Sequence, residues 1–161
     1  MAYSKLAVSA DTYIVNLPGG ARGSEVQLRF GGVSSTDTVM LIKFDVSSIP
    51  SNVIVNDAKI TLTTVDGITP AITEDFYRLI RDWTEADATW TAATAAVNWG
   101  TAGAKNTATD YDNTIIGTLT HSTVTNQPVG ASVLSDVVQG WIDGTYSNYG
   151  LRFDGQATTT V

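Results

Sequence analysis

Residues 39–46, Val-Met-Leu-Ile-Lys-Phe-Asp-Val, limit this chain more than any other stretch. In an extended strand Met40, Ile42 and Phe44 line one face, and Val39, Leu41 and Lys43 line the other. A strand apolar on both sides over most of its length needs cover on both sides, so it belongs at the centre of a sheet. Around it lie segments with a period of two. Residues 25–30 set Val26, Leu28 and Phe30 against Glu25, Gln27 and Arg29, and residues 54–65 set Ala58, Ile60, Leu62 and Thr64 against Asp57, Lys59, Thr61 and Thr63. Residues 5–8, 12–15, 75–81, 114–120 and 149–153 complete eight predicted strands. Turn chemistry separates them: Leu17-Pro18-Gly19-Gly20, Gly31-Gly32, Asp45 to Pro50, and Asp66-Gly67 with Pro70.

One helix is predicted. From Val133 the apolar positions are Val133, Leu134, Val137, Val138, Trp141 and Ile142, spaced by three and four. Ser132 or Ser135 offers a cap, Asp136 is expected in the first turn, and Gly144 follows the end. Between residues 91 and 113 runs a long Ala/Thr/Asn/Gly-rich connection carrying Trp99 and Tyr111; loops of that length are functional or packed by their own side chains. Many short strands with one helix predict an all-β fold, an antiparallel jelly-roll β-sandwich with a short helix near the C-terminus, in a single domain over residues 1–161.

Composition narrows function. Apolar residues at 43% and charged residues at 16% describe an ordered globule rather than a disordered chain. The formal net charge of −7 argues against nucleic acid and against anionic membrane surfaces as partners. With no cysteine, disulfides and thiolate metal sites are excluded. The first ten residues lack the basic and apolar regions of a secretory signal, which favours a chain used without export over one whose signal was cut away and replaced by a starting Met.

Six motifs occur in order: Ala10-Asp11-Thr12-Tyr13-Ile14; Lys43-Phe44-Asp45 with Ile49-Pro50; Asp57-Ala58-Lys59-Ile60-Thr61-Leu62; Trp83-Thr84-Glu85 with Ala88-Thr89-Trp90; Trp99-Gly100; and Asp136-Val137-Val138-Gln139-Gly140-Trp141 with Asn148-Tyr149-Gly150-Leu151. Together they resemble the disaggregatase-related (DNRLRE) domain, a jelly-roll family similar to carbohydrate-binding modules, over about residues 5–153. The resemblance implies a non-catalytic β-sandwich of a kind appended to polysaccharide-active or cell-surface proteins and also encoded by phages. Where such domains continue into a further strand, only residues 154–161 remain here, so the closing strand is expected to be short or absent.

Candidate residues fall into four groups. Trp83, Glu85, Trp90 and Trp141 read as structural anchors, with the indoles plugging the sandwich and Glu85 or Asp87 accepting turn amides. Trp99, Tyr111 and Asn113 are candidate ligand or partner contacts, because sugar rings stack on exposed aromatic faces beside amide donors; for Trp99 an inward, loop-tethering placement is favoured over that one. Thr158 and Val161, in the β-prone tail, are candidate contacts to another chain by strand addition. Asp11, Asp110 and Asp112 are weak calcium candidates without the Gly and distal Glu of a calcium loop, so no cofactor is expected. His121 is the sole imidazole and has no acid–Ser arrangement near it in sequence, so no enzyme is expected. Arg29, Lys43, Arg78 and Arg81 either converge on an anionic polysaccharide or pair across strands with Glu25, Glu74 or Asp75.

The leading expectation is therefore a structural or attachment protein of a bacteriophage virion, such as a head decoration protein. Its partners would be other virion proteins or further copies of itself. The alternative is an extracellular carbohydrate-binding module from a secreted polysaccharide-active protein, with polysaccharide as the partner.

Overall fold

The computed structural model describes residues 3–29, 32–33, 36–63, 72–121, 127–130, 132–155 and 157–158. Among the described residues nine strands and one helix follow in the order β1 (Val8–Val15), β2 (Gly32–Val33), β3 (Thr38–Phe44), β4 (Lys59–Leu62), β5 (Ile72–Arg78), β6 (Gly117–His121), β7 (Gln127–Gly130), α1 (Ser132–Asp143), β8 (Leu151–Gly155) and β9 (Ala157–Thr158). The main sheet has the order β1-β3-β8-β5-β6, antiparallel throughout. The fold is all-β with a single short helix. Among the described residues no helix is long and apolar enough to cross a membrane.

β3 lies inside that sheet, as its two apolar faces require, and each face feeds a separate core. Met40 and Ile42 join Tyr13, Phe76, Leu151 and Phe153 on the face covered by α1 and Ile60 of β4. Phe76 and Phe153, both fully buried, stack with ring centroids 5.3 Å apart. The helix contributes Leu134, Val137, Val138 and Trp141. Ser135 does not cap it: its Oγ accepts the Ala58 amide at 3.0 Å, and Gln139 Oε1 accepts the Val55 amide at 2.9 Å, so α1 holds the approach to β4. Asp136 lies beyond the first turn, and Gly144 ends the helix at φ 79°, a left-handed conformation that a side chain would strain.

On the opposite face Val39 and Leu41 join Ile14, Leu79, Trp83, Ala88, Ala93, Trp99 and Ala104. Most of this second core comes from the whole connection between β5 and β6, residues 79–116, which lies across the sheet as a set of tight turns. A connection rich in small residues can do this because Ala88, Ala93 and Ala104, all fully buried, let the backbone lie close to the strands.

Several predicted boundaries shift. Of the run at 5–8 only Val8 enters a strand, β1, which takes in the whole run at 12–15 and has an irregularity between Val8 and Ala10. The alternation at 25–30 forms no strand over its described part: Val26 is fully exposed, and the Glu25 amide instead donates to the Arg22 carbonyl in a turn. Of the described part of residues 54–65, which ends at 63, Lys59–Leu62 forms a strand antiparallel with β7, and Ile54 is exposed. The Asp66-Gly67 turn and Pro70 lie outside the described residues. Gly32–Val33 pairs in parallel with Ala157–Thr158, so the backbone of Thr158 finds its partner within its own chain; Val161 lies outside the described residues.

Candidate functional site

Where β1 ends, the chain turns through Asn16, Leu17, Pro18, Gly19 and Gly20, and the turn Thr89-Trp90-Thr91 of the long connection rises beside it. Between them, with Tyr13, Ile14, Val15 and Arg22, lies a groove of about 350 Å3. Leu17 is half exposed at its mouth.

Both walls are fixed from behind. Trp99 is buried; its indole N–H donates to the Thr89 carbonyl at 2.9 Å and its backbone N–H to the Thr91 carbonyl at 3.0 Å. Trp90, in contrast, is only partly covered. Its carbonyl accepts the Gly103 amide, and a Cβ at position 103 would meet its ring at 2.6 Å, so only glycine lets the backbone approach so closely there. The Lys105 ammonium stands 5.2 Å from the Trp90 ring centroid and pairs with Asp37 at 2.7 Å. Asp37 in turn bonds Asn16 through both backbone groups: its amide donates to Asn16 Oδ1 at 2.9 Å and its carbonyl accepts the Asn16 amide at 3.2 Å. An unbroken chain of contacts thus joins Asn16 on one wall to Trp90 on the other.

Trp99 folds inward with its indole N–H tethering its own loop, and at 5% exposure it offers no open face for stacking. Trp90, read as an anchor, lines the groove together with Tyr13. Trp83 and Trp141 are buried, the first donating its indole N–H to the Tyr149 carbonyl at 2.9 Å. Glu85 is not the acid that closes the Trp83 turn. Asp87 Oδ2 accepts the Thr84 hydroxyl at 2.7 Å, while Glu85 packs its backbone and Cγ against Gly23.

Beneath the groove the Tyr13 ring is buried, with the Arg22 and Arg29 guanidiniums about 6 Å from its centroid. Arg22 pairs with Glu25 at 3.0 Å. That guanidinium, with the Tyr13 hydroxyl adding to it, holds the Glu25 carboxyl below its ordinary value. Burial, then the bond to Glu25, pushes the Tyr13 phenol up. Asp11, two residues earlier on β1, is raised by burial and by the neighbouring charge of Glu85.

The three calcium candidates do not come together. Among the described residues no group of three or more His, Asp or Glu side chains could hold a metal. Asp110 is fully buried and already engaged: Oδ1 accepts Gly100 N–H (2.7 Å), Arg81 Nε–H (2.8 Å) and the Thr109 hydroxyl (3.1 Å), and Oδ2 accepts the Thr101 and Asn106 amides (3.1 Å each). Burial pushes its pKa up, but the three amides and Arg81 outweigh burial and leave it lowered. Asp112 accepts the Thr114 amide and the Arg78 guanidinium at 2.8 Å, which hold it below its ordinary value. Tyr111 sits edge-on to Tyr77 at 5.0 Å with the Arg152 guanidinium 4.6 Å from its ring, and Asn113 is exposed apart from the groove.

Strand cations do pair rather than converge, but with acids of the connection. Lys43 meets Asp82, Arg78 meets Asp112 and Arg81 meets Asp110, in place of the strand acids Glu74 and Asp75.

A β-sheet fold with a groove, a partly open indole and flanking hydroxyl and amide groups has the form of a carbohydrate-binding module. The family model of carbohydrate-binding module family 96 matches residues 2–135, and the chain belongs to that family. The match takes in both walls of the groove and stops inside α1, before β8. No curated protein matches the chain.

Proposed function

We propose that the chain is a non-catalytic module that binds a polysaccharide in the groove between residues 13–20 and 89–91. The observation that carries this reading is the Trp90 indole, held by Gly103 and Lys105 with part of its surface open in a member of a carbohydrate-binding family. The apolar C–H face of a pyranose stacks on such a ring, and Thr89, Thr91 and Asn16 are polar residues that line the same groove beside it. A pre-formed aromatic surface loses little entropy on binding, which suits weak capture of a repeating polymer. Such a module serves an extracellular, polysaccharide-directed protein by keeping it on its polymer, where repeated sites raise local concentration.

The virion-attachment reading draws no support from the family match, and Ala157–Thr158 of the tail pairs with Gly32–Val33 of the same chain. Genes beside this one would separate the two roles, being either capsid and tail genes or polysaccharide-degradation genes. The direct test of the groove is affinity electrophoresis through gels holding soluble polysaccharides, with wild type against Trp90→Ala. Retardation of the wild type that the variant loses, with both chains folded by circular dichroism, supports the proposal. Equal retardation of the two removes the groove from it.

A further inference from the structure

We infer, building on the groove reading above, that the groove binds sugar hydroxyls through the main chain of Val15, whose N–H and C=O stand on the open edge of β1. That strand is the outermost of the main sheet, with β3 as its neighbour. One contact settles which of its peptide groups face outward. The Asn16 amide donates to the Asp37 carbonyl at 3.2 Å, and these two residues form the next pair in the β1–β3 register, so Asn16 faces inward. In an antiparallel ladder bonded and non-bonded pairs alternate. Ile14–Val39 and Thr12–Leu41 are therefore bonded pairs, while Tyr13 and Val15 turn their N–H and C=O away from β3. Carried on through β3 and β8, the same alternation makes Gly150 face β5, and there its carbonyl accepts the Leu79 amide at 3.0 Å.

Of the two outward residues Val15 is the one within reach. Tyr13 is 3% exposed, whereas Val15 is half-buried and lines the groove with Leu17 and Trp90. Among the described residues nothing meets the outward N–H or C=O of Val15. So short an edge suits a sugar and not an added strand. Strands commonly run to about 5–6 residues, and here the ladder is cut on both sides. The Tyr13 groups are covered, Asn16 bonds inward, and Pro18 has no N–H to offer. One donor and one acceptor on the same residue match two neighbouring hydroxyls of one sugar ring, because a hydroxyl both donates and accepts. Those bonds fix the orientation of a ring that stacking on Trp90 holds only by its face.

Proline isolates the N–H. It is tolerated on an edge strand where the N–H faces outward, so Val15→Pro removes the donor and keeps the bonds to β3. Val15→Ala keeps the donor and serves as the comparison. Calorimetric titrations of the full chain with a β-glucan, a mannan and a polyuronate, each run separately, test the inference. On whichever polymer the wild type binds, Val15→Pro should be about three- to tenfold weaker than Val15→Ala. Amide exchange on the wild type gives a second reading that does not depend on the proline variant folding. The Val15 amide should exchange fast in the free chain and at least about tenfold slower under saturating polymer, with Ile14 slow throughout. Equal affinity of folded Val15→Pro and Val15→Ala, or a Val15 amide that the polymer leaves unprotected, would overturn the inference. The groove reading stands in that case if Trp90→Ala still loses binding. Protection of Val15 that rises with protein concentration in the absence of polymer would assign the edge to a second copy of the chain and overturn the inference too. Silence toward all three polymers, or full binding by Trp90→Ala, would remove the groove and this inference with it.

Discussion

Asp110 supports the whole long connection, and replacing it by Ala should loosen the wall that carries Trp90. Five donors converge on its carboxylate: three backbone amides, the Thr109 hydroxyl and the Arg81 guanidinium, at 2.7 to 3.1 Å. Each charge-assisted bond contributes about 1.5–3 kcal/mol, but the terms are not additive because water re-enters a loop once it opens. Removing one partner from a buried ionic network costs about 3–5 kcal/mol, which is the expected total. For a chain of this size, at about 2–4 °C per kcal/mol, the melting temperature should fall by roughly 6–20 °C. Asp110→Asn keeps the shape and loses the charge, so it should fall between Ala and wild type. The pH dependence has a definite sign. The folded carboxyl titrates below its ordinary value, so the unfolded chain binds the proton more tightly. Its stabilisation is complete above the unfolded value and disappears as pH drops through the folded one. Urea melts from pH 7 down to about 2 should therefore show a steeper acid loss in wild type than in Asp110→Asn. A loss under about 1 kcal/mol for Asp110→Ala, with parallel acid slopes, would refute the idea that this residue organises the connection.

Trp99→Ala should cost about 3–5 kcal/mol, as Trp83→Ala should, since both bury an indole with a satisfied N–H; a melt near wild type for Trp99→Ala would mean that the loop holds without it. Trp90→Ala should lower stability less than either while weakening glycan affinity by about tenfold or more, read by calorimetric titration. Arg152 lies beside Asp75 and Asp154, which face each other across β5 and β8, and it pairs with Asp154 at 3.2 Å. Arg152→Met should therefore destabilise by about 1–3 kcal/mol, and adding Asp154→Asn should restore much of it; strict additivity of the two changes in urea melts would count against the coupling.

The sheet was legible where burial writes a period into the chain. Met40 and Ile42 against Val39 and Leu41 announced a strand covered on both faces, and the stripe from Leu134 to Trp141 announced the helix against it. Residues 25–30 misled because alternation records a tendency to extend, not the presence of an edge to pair with; Val26 points to solvent. The groove was not legible for a different reason. Trp90 and Trp99 share one connection and one chemistry, and what separates them is tertiary: Trp99 reaches back to Thr89 and sinks, while Gly103 and Lys105 hold Trp90 at the surface. The ion pairs were foreseen as a type, but their partners Asp82, Asp110 and Asp112 come from a connection whose path over the sheet no local pattern reveals.

Amide chemical-shift mapping with a polysaccharide fragment tests the central claim most directly, since it locates binding as well as detecting it. Titration of the isotope-labelled chain should move the amides of Ile14, Asn16, Leu17, Gly19, Gly20, Thr89, Trp90 and Thr91, with the Trp90 indole N–H among the largest changes, and should leave α1 unmoved. Saturable shifts centred on α1 or on the β5–β6 edge, with the groove amides still, would contradict it.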